Sequence, residues 1–277
     1  DGTEVQIAPI DVQYQSAPLL KRMLTNFAGP MNNFILGIAV FIAIAFVQGG
    51  VTVNESRLGE IQPDSPAEAA GLRENDEVLA VNGDATADWT ELVTSIQANP
   101  GNQITLAVVT DGEEARDVLV TPDTKTDEQG NEYGLIGVAV PMNRTLMAKI
   151  SYGFKEFWVI ATSIFGLVFA MFRTGFQADS FGGPVAIYAA TEQVVDYGFL
   201  SVLSFLAYLS INLGVVNLLP IPALDGGKLL LNLVEGIRGK PLDPEKEGII
   251  TAIGMGLLLL LMVIVTWNDI QRFFFGQ

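Results

Sequence analysis

Three long apolar runs carry no formal charge: Met23–Asn54, Tyr197–Leu224 and Gly248–Trp267. A helix needs about 20 apolar residues to cross a bilayer core of about 30 Å, so each run predicts a membrane span. A fourth stretch, Met147–Phe172, is apolar and aromatic but holds Lys149, Lys155 and Glu156, with Arg173 just beyond. Its uncharged part, Phe157–Phe172, is short for a span. From Val53 to Pro141 the pattern changes to short segments separated by turn residues. Ser65 and Pro66 open a short helix that closes at Gly71, and Asp76–Gly83 reads as a strand running into an Asn-Gly turn. Trp89–Gln97 is helical in pattern, and Ile104–Val109 with Arg116–Thr121 reads as a hairpin. Residues 2–10 alternate apolar and polar, which predicts a short edge strand ending near Pro9. The fold class that follows is a multi-pass α-helical membrane protein with an inserted β-rich (α+β) domain.

Charge sharpens this division. The net charge is −16, and 18 acids against 6 bases lie between Glu55 and Lys149, so the insert is an acidic, water-facing domain. A nucleic-acid partner is excluded on this ground, because nothing offsets phosphate repulsion. The insert would also repel acidic ectodomains within a Debye length of about 8 Å. Cysteine is absent, which excludes disulfides and thiolate metal sites. Asp1, Glu4 and Asp11 stand where a signal peptide would be basic. Lys21 and Arg22 precede the first run, while Lys228, Arg238, Lys240 and Lys246 follow the second. With three spans, both basic clusters share one face, cytoplasmic by the positive-inside rule, and the acidic insert is extracellular. A fourth span would separate the clusters, so residues 147–184 are expected to form an interfacial or partly inserted helix and a turn.

The densest chemistry closes the second run, in Asn217-Leu-Leu-Pro220-Ile-Pro222-Ala-Leu-Asp225-Gly226-Gly227. Two prolines remove helical N–H donors and must break or kink the helix. Broken backbone at membrane depth is tolerated only where it is buried in protein or lines a wet cavity. A carboxylate there is costly and by default functional, although a helix that simply stops with Asp225 among the headgroups has the same spacing. In the first run, Ala28-Gly29-Pro30 permits close helix approach, and Asn32 and Asn33 would bond across helices. Ordinary helix packing explains these residues equally well. The third run has Gly254 and Gly256 for close packing and Trp267 at an interface, and reads as a plain anchor.

The motif at Asn217–Gly227 resembles the third zinc-ligand motif of the site-2 proteases, the intramembrane metalloproteases. Phe27-Ala-Gly-Pro-Met-Asn-Asn-Phe34 agrees with it, and Leu58–Gly83 resembles part of a PDZ domain. Together they cover nearly the whole chain and are most similar to the Gram-positive, single-PDZ branch. The resemblance implies a Zn2+ cofactor with Asp225 as ligand. It implies Asn212, Asn217, Pro220 and Pro222 against substrate backbone, with Gly29, Pro30, Asn33, Gly226 and Gly227 supporting the site. It also implies a PDZ groove that takes an extended peptide by strand addition, and that the strand over 2–10 belongs to a cytoplasmic-side sheet that helps present substrate. The implied substrates are membrane proteins or signal-peptide remnants.

The family's other two zinc ligands and its general base lie in a His-Glu-x-x-His helix, and this sequence has no histidine. No catalytic residue is therefore assigned within it. The expectation is a sequence starting after the first membrane helix of a protease, inactive by itself. The alternative is a non-catalytic, membrane-anchored PDZ adaptor or pseudoprotease. The expected layout is a cytoplasmic-side segment (1–22), spans at 23–50, 197–225 and 248–268, and the PDZ insert at 53–141. The interfacial region (147–184), a cytoplasmic loop (226–247) and a tail (269–277) complete it.

Overall fold

A computed structural model describes residues 17–111, 113–127, 129–175, 182–240 and 242–274. The strand expected over residues 2–10 lies outside them. The chain divides into two compact units, one from residues up to 44 together with 150 onward, the other from 45–149.

The second unit is the β-rich insert. Its main sheet is antiparallel in the order β3 (Asp84–Ala85), β2 (Glu77–Val81), β4 (Ile104–Val109), β5 (Arg116–Val120). Side chains along β4 alternate buried and half-buried, as a strand with one covered face requires. Leu58, Val78, Leu92, Leu106 and Val108 are fully buried in its core. Two helices cover that core: α2 (Pro66–Ala69), capped by Ser65, and α3 (Trp89–Gln97), capped by Asp88. A short ladder joins β1 (Val51–Thr52) to β8 (Met142–Asn143), and a hairpin joins β6 (Asp123–Thr126) to β7 (Glu132–Leu135). The fully buried Asp76 carboxylate accepts from Arg116 (3.1 Å), Thr110 (2.7 Å) and the Arg73 N–H (3.0 Å), which offsets its desolvation. The helices, strand and hairpin expected between Ser65 and Thr121 all form.

Among the described residues six helices make the other unit: α1 (Leu19–Val47), α4 (Leu146–Thr174), α5 (Pro184–Asp196), α6 (Phe199–Leu218), α7 (Asp225–Arg238) and α8 (Pro244–Phe274), with the end of α1 and the start of α4 belonging to the insert. Four of them, α1, α4, α6 and α8, contain stretches long and apolar enough to cross a membrane. The chain is thus a multi-pass helical membrane protein with a β-rich insert.

Close approach orders these helices. Gly214 of α6 lies against Phe34 and the Pro30 carbonyl, while Gly37 lies against Ile211 and the Ala207 carbonyl. Residue numbers rise on α1 as they fall on α6, so the two are antiparallel. The Ser210 hydroxyl donates to the Asn33 carbonyl at 3.0 Å along the same seam. The first half of α4 beds on α1, with Phe157 edge-on to Phe34 and Tyr152 edge-on to Phe41.

Three boundaries differ from the sequence expectation. Helix α1 begins at Leu19 and takes in Lys21 and Arg22, because the Arg22 side chain is held by Glu235 rather than by water. Residues 226–247, expected as a loop, hold most of α7, whose apolar and polar residues fall on opposite sides. The last helix starts four residues before Gly248 and runs past Trp267.

Candidate metal-ligand site

The site is built where α6 stops. Its last helical residue is Leu218, after which Pro220 and Pro222 prevent continuation. Residues 219–224 form a tight turn, closed by Ile221 N–H to the Leu219 carbonyl (2.7 Å) and Leu224 N–H to the Ile221 carbonyl (3.1 Å). Ala223 within it has φ +79°, a left-handed conformation that costs a non-glycine residue about 1 kcal/mol or more. Nothing in an alanine signals this strain in sequence.

Asp225 opens α7. No side chain caps this helix, and the first-turn carboxylate complements its positive end. Gly226 and Gly227 are buried under the turn. A Cβ on Gly226 would collide with the Leu218 and Leu219 carbonyls, and one on Gly227 with the Ile221 carbonyl. These glycines let the first turn of α7 fold back beneath the end of α6. Across from them, a Cβ on Gly29 of α1 would lie 3.0 Å from Asp225 Oδ2. The half-buried carboxylate therefore lies so close against Gly29 that any side chain there would press on it.

The structure thus brings Gly29, Asp225, Gly226 and Gly227 together, with Pro222 in the adjoining turn. Pro30 is fully buried and lends its carbonyl to the contact with Gly214. Asn33 takes part through its backbone carbonyl, which accepts from Ser210. Asn212 and Asn217 are both half-buried on α6. Five residues apart, they point about 140° from each other around the helix and serve different surfaces. Pro220 is exposed.

Sequence reasoning gave Gly254 to close packing without its partner, and passed over a second contributor altogether. Gly254 of α8 approaches Pro222 so closely that a Cβ would collide with its carbonyl, so the helix read as a plain anchor backs the turn. Gly256 faces open space. The second contributor is the pair Arg22–Glu235, which joins α1 to α7 at 2.5 Å. Its members are 213 residues apart, and no local pattern relates them.

A zinc site takes three or four ligands from nitrogen, sulfur and carboxylate oxygen. Among the described residues no group of three or more His, Cys, Asp or Glu is placed to hold a metal. Asp225 fits as one ligand, with a glycine opposite Oδ2 and a backbone shaped to present it, but the described residues do not complete a zinc site by themselves.

A second concavity lies in the insert, between α3 and residues 134–138. It is shallow, about 40 Å3, and lined by Trp89, Val93, Ile96, Leu135, Ile136 and Val138 among others, none of them charged.

A helical membrane unit interrupted by a β-rich domain, with a carboxylate presented behind a proline turn, defines a class of intramembrane protein. The chain belongs to Peptidase family M50, the site-2 protease family, which matches residues 2–261. It is 49% identical over 276 residues to a "Probable protease eep" of Enterococcus faecalis, covering 99% of this chain and 65% of that protein. It is 47% identical to a putative zinc metalloprotease of Lactococcus lactis (99% and 62%). It is 44% identical to the zinc metalloprotease RasP of Geobacillus kaustophilus (99% and 64%). The chain therefore spans a little under two thirds of the length of these relatives. Among solved structures, the PDZ domain of an SdrC-like protein of Listeria monocytogenes aligns with 32% of this chain and 90% of its own, at 19% identity and a TM-score of 0.27.

Proposed function

We propose that this chain forms part of an intramembrane zinc metalloprotease of the site-2 type, cleaving transmembrane segments or signal-peptide remnants, with Asp225 as one zinc ligand. The observation that carries the proposal is the setting of Asp225, which opens a helix directly after a proline-broken turn and lies close against Gly29, the lack of a side chain there leaving the carboxylate its place. An acid that only completed a helix end would not need a neighbouring helix shaped to leave it room.

When bound by three protein ligands, zinc supplies a water of lowered pKa and polarises the scissile carbonyl. The other ligands and the general base must come from histidine-bearing residues outside this sequence. Within it, Gly226 and Gly227 hold Asp225 by permitting the fold-back of α7. The turn at 219–224 interrupts helical hydrogen bonding, which leaves backbone groups able to pair with an unwound substrate. Asn212 and Asn217 offer amides to substrate backbone. In the acidic insert, the uncharged concavity beside α3 suits an apolar extended peptide of PDZ-ligand type.

The proposed location is a cell membrane, with the basic ends cytoplasmic and the insert extracellular. Contact of Arg22 with Glu235 supports this, since it joins the Lys21/Arg22 cluster to the helix that carries Lys228 and Arg238. Both clusters then lie at one end of the helical unit, as the positive-inside rule requires.

The test is Asp225→Asn in the complete, histidine-bearing protein, which keeps side-chain size and removes charge. Cleavage of a reporter membrane substrate should fall at least 100-fold and bound zinc should drop, while thermal unfolding in detergent shifts by no more than a few degrees. Near-native cleavage by the well-folded variant would reject Asp225 as a ligand. A complete wild-type protein that neither holds zinc nor cleaves would favour the adaptor reading.

A further inference from the structure

Helix α7 packs antiparallel along the first three turns of α1. At one end of the seam, a Cβ on Gly236 would lie 3.0 Å from Leu19 Cδ2, and at the other end Gly29 faces Asp225. Between them Arg22 donates from Nη1 and Nη2 to the two Glu235 oxygens at 3.1 and 2.5 Å, and from Nη1 to Asn232 Oδ1 at 3.4 Å. The two paired side chains are 12% and 16% exposed. Asn232 is buried as well, and its Nδ2 has no partner among the described residues.

The glycine contacts under α6 hold only the first turn of α7, and apolar packing does not fix where its later turns sit on α1. Beside the ion pair the helices separate into an open groove of about 490 Å3, lined by Leu20, Met23 and Phe27 on one wall and Leu229 and Leu233 on the other. Aliphatic side chains across an open groove tolerate sliding, whereas a forked pair drawn largely out of water does not. Displacing one partner leaves an uncompensated buried charge. A one-residue slip of α7 moves Asp225 by about 1.5 Å and turns it by about 100°. Either change carries the carboxylate away from its place against Gly29.

We infer that Arg22 and Glu235 are positioning residues that set the register of α7 on α1 and thereby aim the Asp225 carboxylate. Ten residues of helix, about 15 Å, separate Glu235 from Asp225, so the pair acts without touching substrate or metal. The role of the aimed carboxylate rests on the metal-ligand reading above, but the register does not.

The sequence contains no cysteine, so register can be read with thiols placed at the seam. A chain with Leu19→Cys and Gly236→Cys, in membranes, should join readily through a short bifunctional thiol reagent. Adding Glu235→Gln should cut the cross-linked fraction at least threefold, and the exchange Arg22→Glu with Glu235→Arg should restore most of it. If Glu235→Gln does not accumulate, Arg22→Lys is used instead, since it keeps the charge and loses the fork. Reduced cross-linking then supports the inference and a native level overturns it. In the complete protein Glu235→Gln should lower zinc content and kcat, and the exchange should recover both. Unchanged cross-linking in folded Glu235→Gln overturns the inference. Asp225→Asn, with the clamp intact, should cross-link like the native chain. If the clamp variants behave as stated but Asp225→Asn still cleaves, register control stands and the ligand reading fails.

Discussion

Single atoms decide the shape around Asp225, and two glycines there make opposite demands. The missing Cβ of Gly226 would strike backbone carbonyls of Leu218 and Leu219, which cannot move without unwinding the end of α6. The missing Cβ of Gly29 would meet a carboxylate oxygen at 3.0 Å, and that side chain can rotate away. Gly226→Ala is therefore expected to cost about 1–3 kcal/mol or more of stability and to accumulate poorly in membranes. Gly29→Ala should accumulate normally and unfold within a few degrees of the native protein. In the complete protein it should nevertheless lose at least tenfold in cleavage, because the displaced oxygen is the one proposed to reach the metal. Thermal unfolding in detergent and reporter cleavage separate the two outcomes. Loss of stability by Gly29→Ala equal to that of Gly226→Ala would mean the contact at Gly29 is ordinary packing. These glycines were legible in sequence because the motif that names them is contiguous. Ala223 was not, since its left-handed backbone is imposed by the turn and leaves no mark on residue choice.

Elements were legible to the extent that their cause is local. Two strand-like segments around a turn gave the β4–β5 hairpin, Ser65 and Pro66 gave the start of α2, and charge-free length gave α1, α6 and α8. Helix α7 was missed because Lys228, Glu235 and Arg238 suggest a loop until α1 supplies a surface for its other side. Helix α4 is the instructive case, being one of four segments long and apolar enough to span. Because α1 and α6 are antiparallel, the chain leaves one and enters the other at the same end of the helical unit. The stretch between them must cross the membrane an even number of times. If α4 crosses, the return falls to residues 175–198, whose helix α5 has 13 residues. At 1.5 Å per residue that is about 20 Å, short of a core of about 30 Å. We propose on this count that α4 enters from one face and does not cross, its first half bedded on α1. Cysteines replacing Arg173 and Tyr197 should then react with a membrane-impermeant thiol reagent from one side, and a cysteine replacing Lys240 only from the other. Arg173→Cys labelling together with Lys240→Cys would make α4 a span.

On the scale of the whole chain, unlike parts divide the work. Acidic residues concentrate in the insert, while the helical unit keeps Asp225 as a lone carboxylate between an uncharged run and Lys228. The broad plan was legible because bilayer and water select composition over tens of residues. What joins the helices was not, since Arg22–Glu235, Gly29–Asp225 and Gly254–Pro222 bring together residues far apart in the chain. The last of these contacts changes what the final helix is for. With Gly254 seated on Pro222, α8 is the rear wall of the turn that presents Asp225. A tether can be exchanged for any other of the same length, but a wall cannot. Grafting an unrelated apolar span after Arg238 would leave the protein in the membrane with every motif residue in place, and the turn would lose the surface that keeps it folded against α7.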